Sequence, residues 1–172
     1  CVLELVDPAS GEKVKSIRLA QPPNGMAVDG ATAYVAEGGP RGAVEVVDLE
    51  SGALKRSFPA GHTPMSPVVR GGKLYVACRF DSRVLEMDAA TGTVLDSWNV
   101  PCEPVALAVS PDGRKIWAAG HLPAGAADGD FTAAALTLVE DGKAVHFPLS
   151  NGTQGVRGMA ISPDGRYLAV AH

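Results

Sequence analysis

Leu74-Tyr75-Val76-Ala77 is four apolar residues in a row, bracketed by Gly71-Gly72 before it and by Asp88-Ala89-Ala90-Thr91-Gly92 further on. A short uninterrupted apolar run between turn residues is the pattern of a strand buried on both faces. The run is not unique. Its aromatic position recurs as Tyr34, Tyr75 and Trp117, with Ala169 in a weaker copy, at steps of 41, 42 and 52 residues. The turn glycines Gly11, Gly52, Gly92 and Gly142 recur at steps of 41, 40 and 50 residues. Two independent registers therefore place one insertion in the third unit, of ~10 residues beyond the ~40–45 of a four-stranded repeat.

Each repeated turn has its own chemistry. Asp48-Leu49-Glu50-Ser51-Gly52 and Asp88-Ala89-Ala90-Thr91-Gly92 follow alternating runs, where an Asx turn and a glycine at positive φ reverse the strand. Ser110-Pro111-Asp112-Gly113 and Ser162-Pro163-Asp164-Gly165 do the same between two other strands; Asp29-Gly30 and Gly71-Gly72 take that place in the first two copies. No useful window has helical period.

Composition agrees. The 172 residues include 20 Gly and 13 Pro, well above the average joint share of about 12%. With 46% hydrophobic residues the chain is no disordered tail. Its longest apolar stretch falls far short of the ~20 residues of a membrane span. The net charge of −4, with Lys and Arg scattered, argues against a nucleic-acid footprint. Three cysteines, Cys1, Cys78 and Cys102, make neither a disulfide framework nor a CxxC metal or haem motif.

The Tyr-Val-Ala runs Leu74–Ala77 and Ile116-Trp117-Ala118-Ala119, the Ser-Pro-Asp-Gly turns and the Asp-x-x-(Ser/Thr)-Gly turns together resemble the YVTN-type β-propeller repeat. Gly120-His121-Leu122-Pro123-Ala124-Gly125-Ala126-Ala127-Asp128 and Leu149-Ser150-Asn151-Gly152 are similar to bacterial propellers attached to cytochrome c domains. The resemblance implies an all-β propeller of four-stranded antiparallel blades and a periplasmic or extracellular setting. Any haem would lie in a domain outside this chain. The expected organisation is a half blade over 2–20, blades over 23–61, 63–100 and 103–150 with a loop insertion at 121–133, and a half blade over 156–172. Both ends fall within strand-like sequence, so the segment is expected to belong to a larger ring of six to eight blades, in which no open edge is left, with closure of its two halves into a four-bladed ring as the alternative.

In such a blade the b–c and d–a loops share one face, around the channel. That face should carry Glu37, Cys78, Arg79, His121 and His172 at b-strand ends, and Asn24, Met65, Cys102, Glu103 and Arg157 where the a strands begin. Glu37, Arg79, Glu103, His121 and Arg157 are candidates for holding a polar ligand or a partner domain; ordinary rim ion pairs are the bland alternative. His121, His172, Cys78 and Cys102 are candidate transition-metal ligands, against the reading of loop histidines and buried small thiols. Cys78 and Cys102 could instead pair as a disulfide in an oxidising compartment. Asp128 and Asp130 are too few for a calcium loop. Asn151-Gly152-Thr153 fits a glycosylation sequon but reads better as a turn. Trp98, Trp117, Tyr34 and Tyr75 read as packing between blades.

Two functions follow. The first is a binding and interaction scaffold whose channel face docks a protein domain or small ligand, within a bacterial extracytoplasmic, cytochrome-associated redox protein. The second is a lactonase-like hydrolase or metal-dependent enzyme on the same face, which would need a metal held by His121, His172 and carboxylates. No GxSxG, HExxH or phosphate-binding glycine pattern occurs, which favours the scaffold.

Overall fold

The computed structural model describes residues 1–101, 103–121, 134–149 and 155–172. They form sixteen strands in five antiparallel sheets. A two-stranded sheet comes first, β1 (Val2–Val6) with β2 (Lys13–Arg18). Three four-stranded meanders follow. The first is β3 (Pro23–Asp29), β4 (Thr32–Glu37), β5 (Ala43–Asp48) and β6 (Leu54–Pro59). The second is β7 (Pro64–Arg70), β8 (Lys73–Cys78), β9 (Arg83–Asp88) and β10 (Val94–Asn99). The third is β11 (Glu103–Val109), β12 (Lys115–His121), β13 (Ala134–Glu140) and β14 (Lys143–Pro148). A second two-stranded sheet, β15 (Gly158–Ile161) with β16 (Leu168–Ala171), comes last. Among the described residues the only helical element is a 3-10 turn, Arg79–Asp81. These are the all-β, four-stranded antiparallel sheets of a propeller.

Burial sorts the strands by position. The second strand of each blade is sealed: Leu74, Tyr75, Val76, Ala77 and Cys78 are all 0% exposed. The fourth is open, with most of β6, β10 and β14 facing solvent. A strand buried on both faces needs a sheet on each side, and the clusters show it. Tyr34, Ala36, Val44 and Phe58 of one blade pack on Leu74, Val76, Cys78 and Met87 of the next. Tyr75, Ala77 and Val84 pack on Leu107, Val109, Ile116 and Ala118 of the third. The two-stranded sheets extend the stack: Leu3, Ile17 and Leu19 pack on Ala33, Val35 and Val47, and Met159 and Val170 pack on Ala106 and Ala119. Alternation along each b strand thus sends odd and even residues to different neighbours.

The turns behave as their residues dictate. Asp48 Oδ1 accepts from the Ser51 N–H and hydroxyl, both at 2.7 Å, and Gly52 sits at φ 76°. Asp88 with Thr91, and Asp7 with Ser10, repeat the device. These contacts hold the Asp48 and Asp88 carboxyls below the usual range. At the Ser-Pro-Asp-Gly turns, Ser110 Oγ donates to Asp112 and accepts from the Lys115 N–H, and Ser162 does the same with Asp164 and Tyr167. All these turns lie at one end of the blades, opposite the b–c loops.

Tyr34, Tyr75 and Trp98 pack between blades as expected. Trp117 instead meets Phe147 of its own blade, ring centroids 6.1 Å apart.

The stack makes a simple contrast in stability. Leu74→Ala, in the sealed second strand, should cost about 2–5 kcal/mol. Leu95→Ala, at a side chain 51% exposed on the fourth strand, should stay within about 0.5 kcal/mol. Urea denaturation of the two variants measures both, and equal losses would contradict the burial gradient.

Candidate functional site

The b–c loops and the d–a connections meet at one end of the blades and are tied by backbone hydrogen bonds. Gly42 N–H donates to the Gly61 carbonyl at 2.8 Å, Thr63 N–H to Gly39 at 2.7 Å, and Arg79 N–H to Thr63 at 3.2 Å. Side chains of the first strands add cross-blade links. Asn24 Nδ2 donates to the carbonyls of Gly38 and Pro64 (2.9 and 3.1 Å), and Ser66 Oγ to that of Val105 (2.7 Å). Each first strand carries a bulge there, between Pro23 and Gly25, Met65 and Val68, and Pro104 and Ala106. Thr63, Ser66 and Ser82 take positive φ (52°, 45° and 50°). Such conformations cost of order 1–3 kcal/mol each and persist only where packing imposes them. Among the described residues these loops are tied to one another backbone to backbone.

Arg79 and Glu103 come together on it. Arg79 Nε donates to Glu103 Oε2 at 3.1 Å, joining the second and third blades, with both side chains about a third exposed. Glu103 is in turn the register partner of His121 across β11 and β12. The Gly155 backbone (φ 113°) closes over the His121 ring so tightly that a Cβ there would lie 2.9 Å from Nε2. His121 Nε2 is buried and has no hydrogen-bond partner among the described residues. Arg157 and His172 are exposed, beside the bond from the Arg157 N–H to the Ala171 carbonyl. Cys102, the 122–133 insertion with Asp128 and Asp130, and Asn151-Gly152-Thr153 lie outside the described residues.

Two candidates sit elsewhere than on the open face. Cys78 is a free, fully buried thiol. Its Sγ donates to the Ala60 carbonyl at 2.9 Å, and burial, with the Asp81 carboxylate nearby, pushes its pKa up to about 12. A neutral thiol committed to a carbonyl behaves as a core residue. Glu37 is 1% exposed and lies on the face of β4 shared by Ala33 and Val35. Burial and the adjacent Glu45 carboxyl raise its pKa to about 7, against the pull of the Gln21 N–H that donates to its Oε2. Glu37 Oε1 and Glu45 Oε2 are buried with no hydrogen-bond partner among the described residues, which fits a carboxylic acid at Glu37. Among the described residues no three His, Cys, Asp or Glu side chains gather as a metal-ligand group.

The residues that sequence reasoning passed over stand on the 3-10 turn. Phe80 is 49% exposed, the Arg79 guanidinium lies 4.7 Å from its ring centroid, and the His62 ring meets it edge-on at 5.0 Å. Asp81 Oδ2 accepts from the His62 N–H at 2.8 Å and locks the two loops together. The only signal in the sequence was an aromatic residue next to Arg79 in a b–c loop.

No known protein-family profile matches the chain. No curated protein matches it. Among solved structures it is similar to the hydrazine synthase of Kuenenia stuttgartiensis, with TM-score 0.63 and 20% identity over 98% of this chain and 67% of that one. The shared property is the fold. In all, 751 solved chains match, and a fold so widely used carries no single function. No helix among the described residues is long and apolar enough to cross a membrane.

The raised Glu37 pKa has a signed consequence. Between pH 4.5 and about 7 the folded chain holds a proton that the unfolded chain releases, so stability falls as pH rises through that window. Melting temperatures should decline from the low to the high end for the parent chain, while Glu37→Gln should flatten that decline. An unchanged slope in the variant would show that Glu37 does not carry it.

Proposed function

We propose that the chain is a propeller binding module whose channel-side face docks a protein domain, within a bacterial extracytoplasmic, cytochrome-associated redox protein. The observation that carries the docking reading is Phe80, held half-exposed on a rigid turn between Arg79 and His62. An aromatic residue and an arginine fixed in place before a partner arrives are the composition of an interface hot spot, because little side-chain entropy is lost on binding. The Arg79–Glu103 pair, a third exposed on each side, would form part of its polar surround. The redox setting is supported by the motif resemblance around Gly120–Asp128 and Leu149–Gly152. The similar solved structure bears the name of an enzyme, hydrazine synthase, and what the two share is the fold.

A soluble monohaem c-type cytochrome titrated into the chain is the direct probe, read by calorimetry and by amide exchange. Protection should appear in 60–63 and 79–82, and Phe80→Ala should weaken binding about 10–30-fold. Leu54→Ala, exposed at the opposite end of the blades, should leave it unchanged. Protection confined to the turn end, or an unaffected Phe80→Ala variant, would refute the docking face. No binding at all would remove the cytochrome as partner.

A further inference from the structure

The turn end of the blades is given over to strand reversal except at one junction in the middle of the stack. Between the first and second blades, the Tyr34 hydroxyl donates to the Ala89 carbonyl at 3.2 Å, and the Arg56 guanidinium donates to the Ala90 carbonyl. Both acceptors belong to the turn 89–93 between β9 and β10. One blade on, Tyr75 takes the place of Tyr34, as the register pairs Tyr34–Val46 and Tyr75–Glu86 show. The matching turn of the third blade, between β13 and β14, holds only Asp141 and Gly142, at φ 49° and 73°. So tight an Asp-Gly reversal ends the hairpin early, and no carbonyl of the third blade reaches Tyr75. Tyr75 is 0% exposed, and its hydroxyl has no hydrogen-bond partner among the described residues. Burial, with the Glu86 carboxylate beside it, pushes its pKa up to about 12. A buried hydroxyl left without a partner calls for an explanation.

The short turn leaves a cleft between the second and third blades. Its outer part, about 260 Å³, has Glu86, Asp96 and Trp98 on one side and Arg114 and Asp141 on the other. Its inner part, about 250 Å³, reaches Tyr75, with Arg70 and Asp112 in its walls, and the two parts share Lys73 and Gly113. Each is a little under the ~300 Å³ at which ligand clefts begin, which suits a head group on a short chain. Tyr75, Glu86 and Asp96 form one row across β8, β9 and β10. Most of the charges are matched. Lys73 Nζ lies 2.7 Å from Glu86 Oε1, Arg114 lies 3.9 Å from Asp141, and Arg70 and Asp112 bring one charge of each sign. Asp96 is left over. It makes no ion pair among the described residues and accepts from the N–H of its neighbour Ser97 at 2.7 Å.

The junction one blade earlier shows what such a place accepts. Arg56 stands at the register position of Asp96, and it lines the corresponding space together with Tyr34. There the chain supplies its own guanidinium. At the next junction the same position carries the opposite charge, and the turn that would receive a guanidinium is shortened.

We propose that the cleft between the second and third blades binds a small organic cation, an alkylguanidinium or alkylammonium, in the place that the Arg56 side chain fills one blade earlier. Asp96 is the counter-charge, the Tyr75 hydroxyl oxygen accepts an N–H of the ligand, and Trp98 supplies an aromatic surface that favours a cation. The cleft lies at the opposite end of the blades from Phe80, so this site and the docking face stand or fall separately.

The chain has two Trp, Trp98 and Trp117, so two indole N–H signals report the titration by nuclear magnetic resonance. Butylguanidinium or butylammonium chloride should move the Trp98 signal saturably and leave Trp117 in place, with a dissociation constant on the order of 1 mM for so small a ligand. Asp96→Asn should weaken binding about 10–100-fold, and Tyr75→Phe about 3–10-fold. Tyr75→Phe removes only an unpartnered hydroxyl, so the melting temperature of the free chain should not fall, whereas Tyr34→Phe strands the Ala89 carbonyl and should lower it by about 2–4 °C. No saturable shift up to ~10 mM cation, an equal shift with sodium butyrate, or unchanged affinity in either Asp96→Asn or Tyr75→Phe overturns the proposal.

Discussion

The structure depends on one constraint: the second strand of each blade has no polar face. Lys73–Cys78 is sealed from Leu74 onward, and a strand with two apolar faces is stable only between two sheets. Full burial of each such side chain contributes roughly 1.5–3 kcal/mol, so every blade depends on both neighbours. Stacking is therefore the source of stability, and the outer strands can remain wet because they sit at the rim of that stack.

Rigid stacking also sets where function can reside. The turn end of the blades is consumed by Asx and Ser-Pro-Asp-Gly chemistry that reverses strands. The other end is joined blade to blade by Asn24, Ser66 and the Gly39–Thr63 bond, so its side chains are held at fixed spacing. Arg79, Phe80 and His62 gain their arrangement there from backbone that is strained at Thr63 and Ser82. Glu37 shows the opposite use of a polar residue. Turned inward beside Glu45, it accepts the Gln21 N–H at the junction with the β1–β2 sheet instead of contributing to the open face.

Much of this was legible in the residues. The spacing of Tyr34, Tyr75 and Trp117, with the Asp-x-x-(Ser/Thr)-Gly turns, pointed to four-stranded units because turn chemistry is local and apolar runs need only composition to be read. Placing b-strand ends and first-strand starts on one face brought Arg79 and Glu103 to the same face, and the structure then paired them. Cys78 and Glu37 were placed on that face by position alone, and their side chains turn away from it. A strand end fixes where a Cα lies; the parity of the last residue, and what the adjacent blade offers, decide whether its side chain faces solvent or core.

By itself, then, the sequence determined the repeat, the turns and the all-β architecture, since each rests on interactions within about five residues or on the period of apolar runs. Only the tertiary structure decided which carboxylate is buried, which thiol is occupied by a carbonyl, and that Phe80 is braced between Arg79 and His62. Those properties arise between residues on different strands or loops, 18 positions apart for Cys78 and Ala60 and for Phe80 and His62, and nothing in a local pattern records the distance or direction at which two such residues meet.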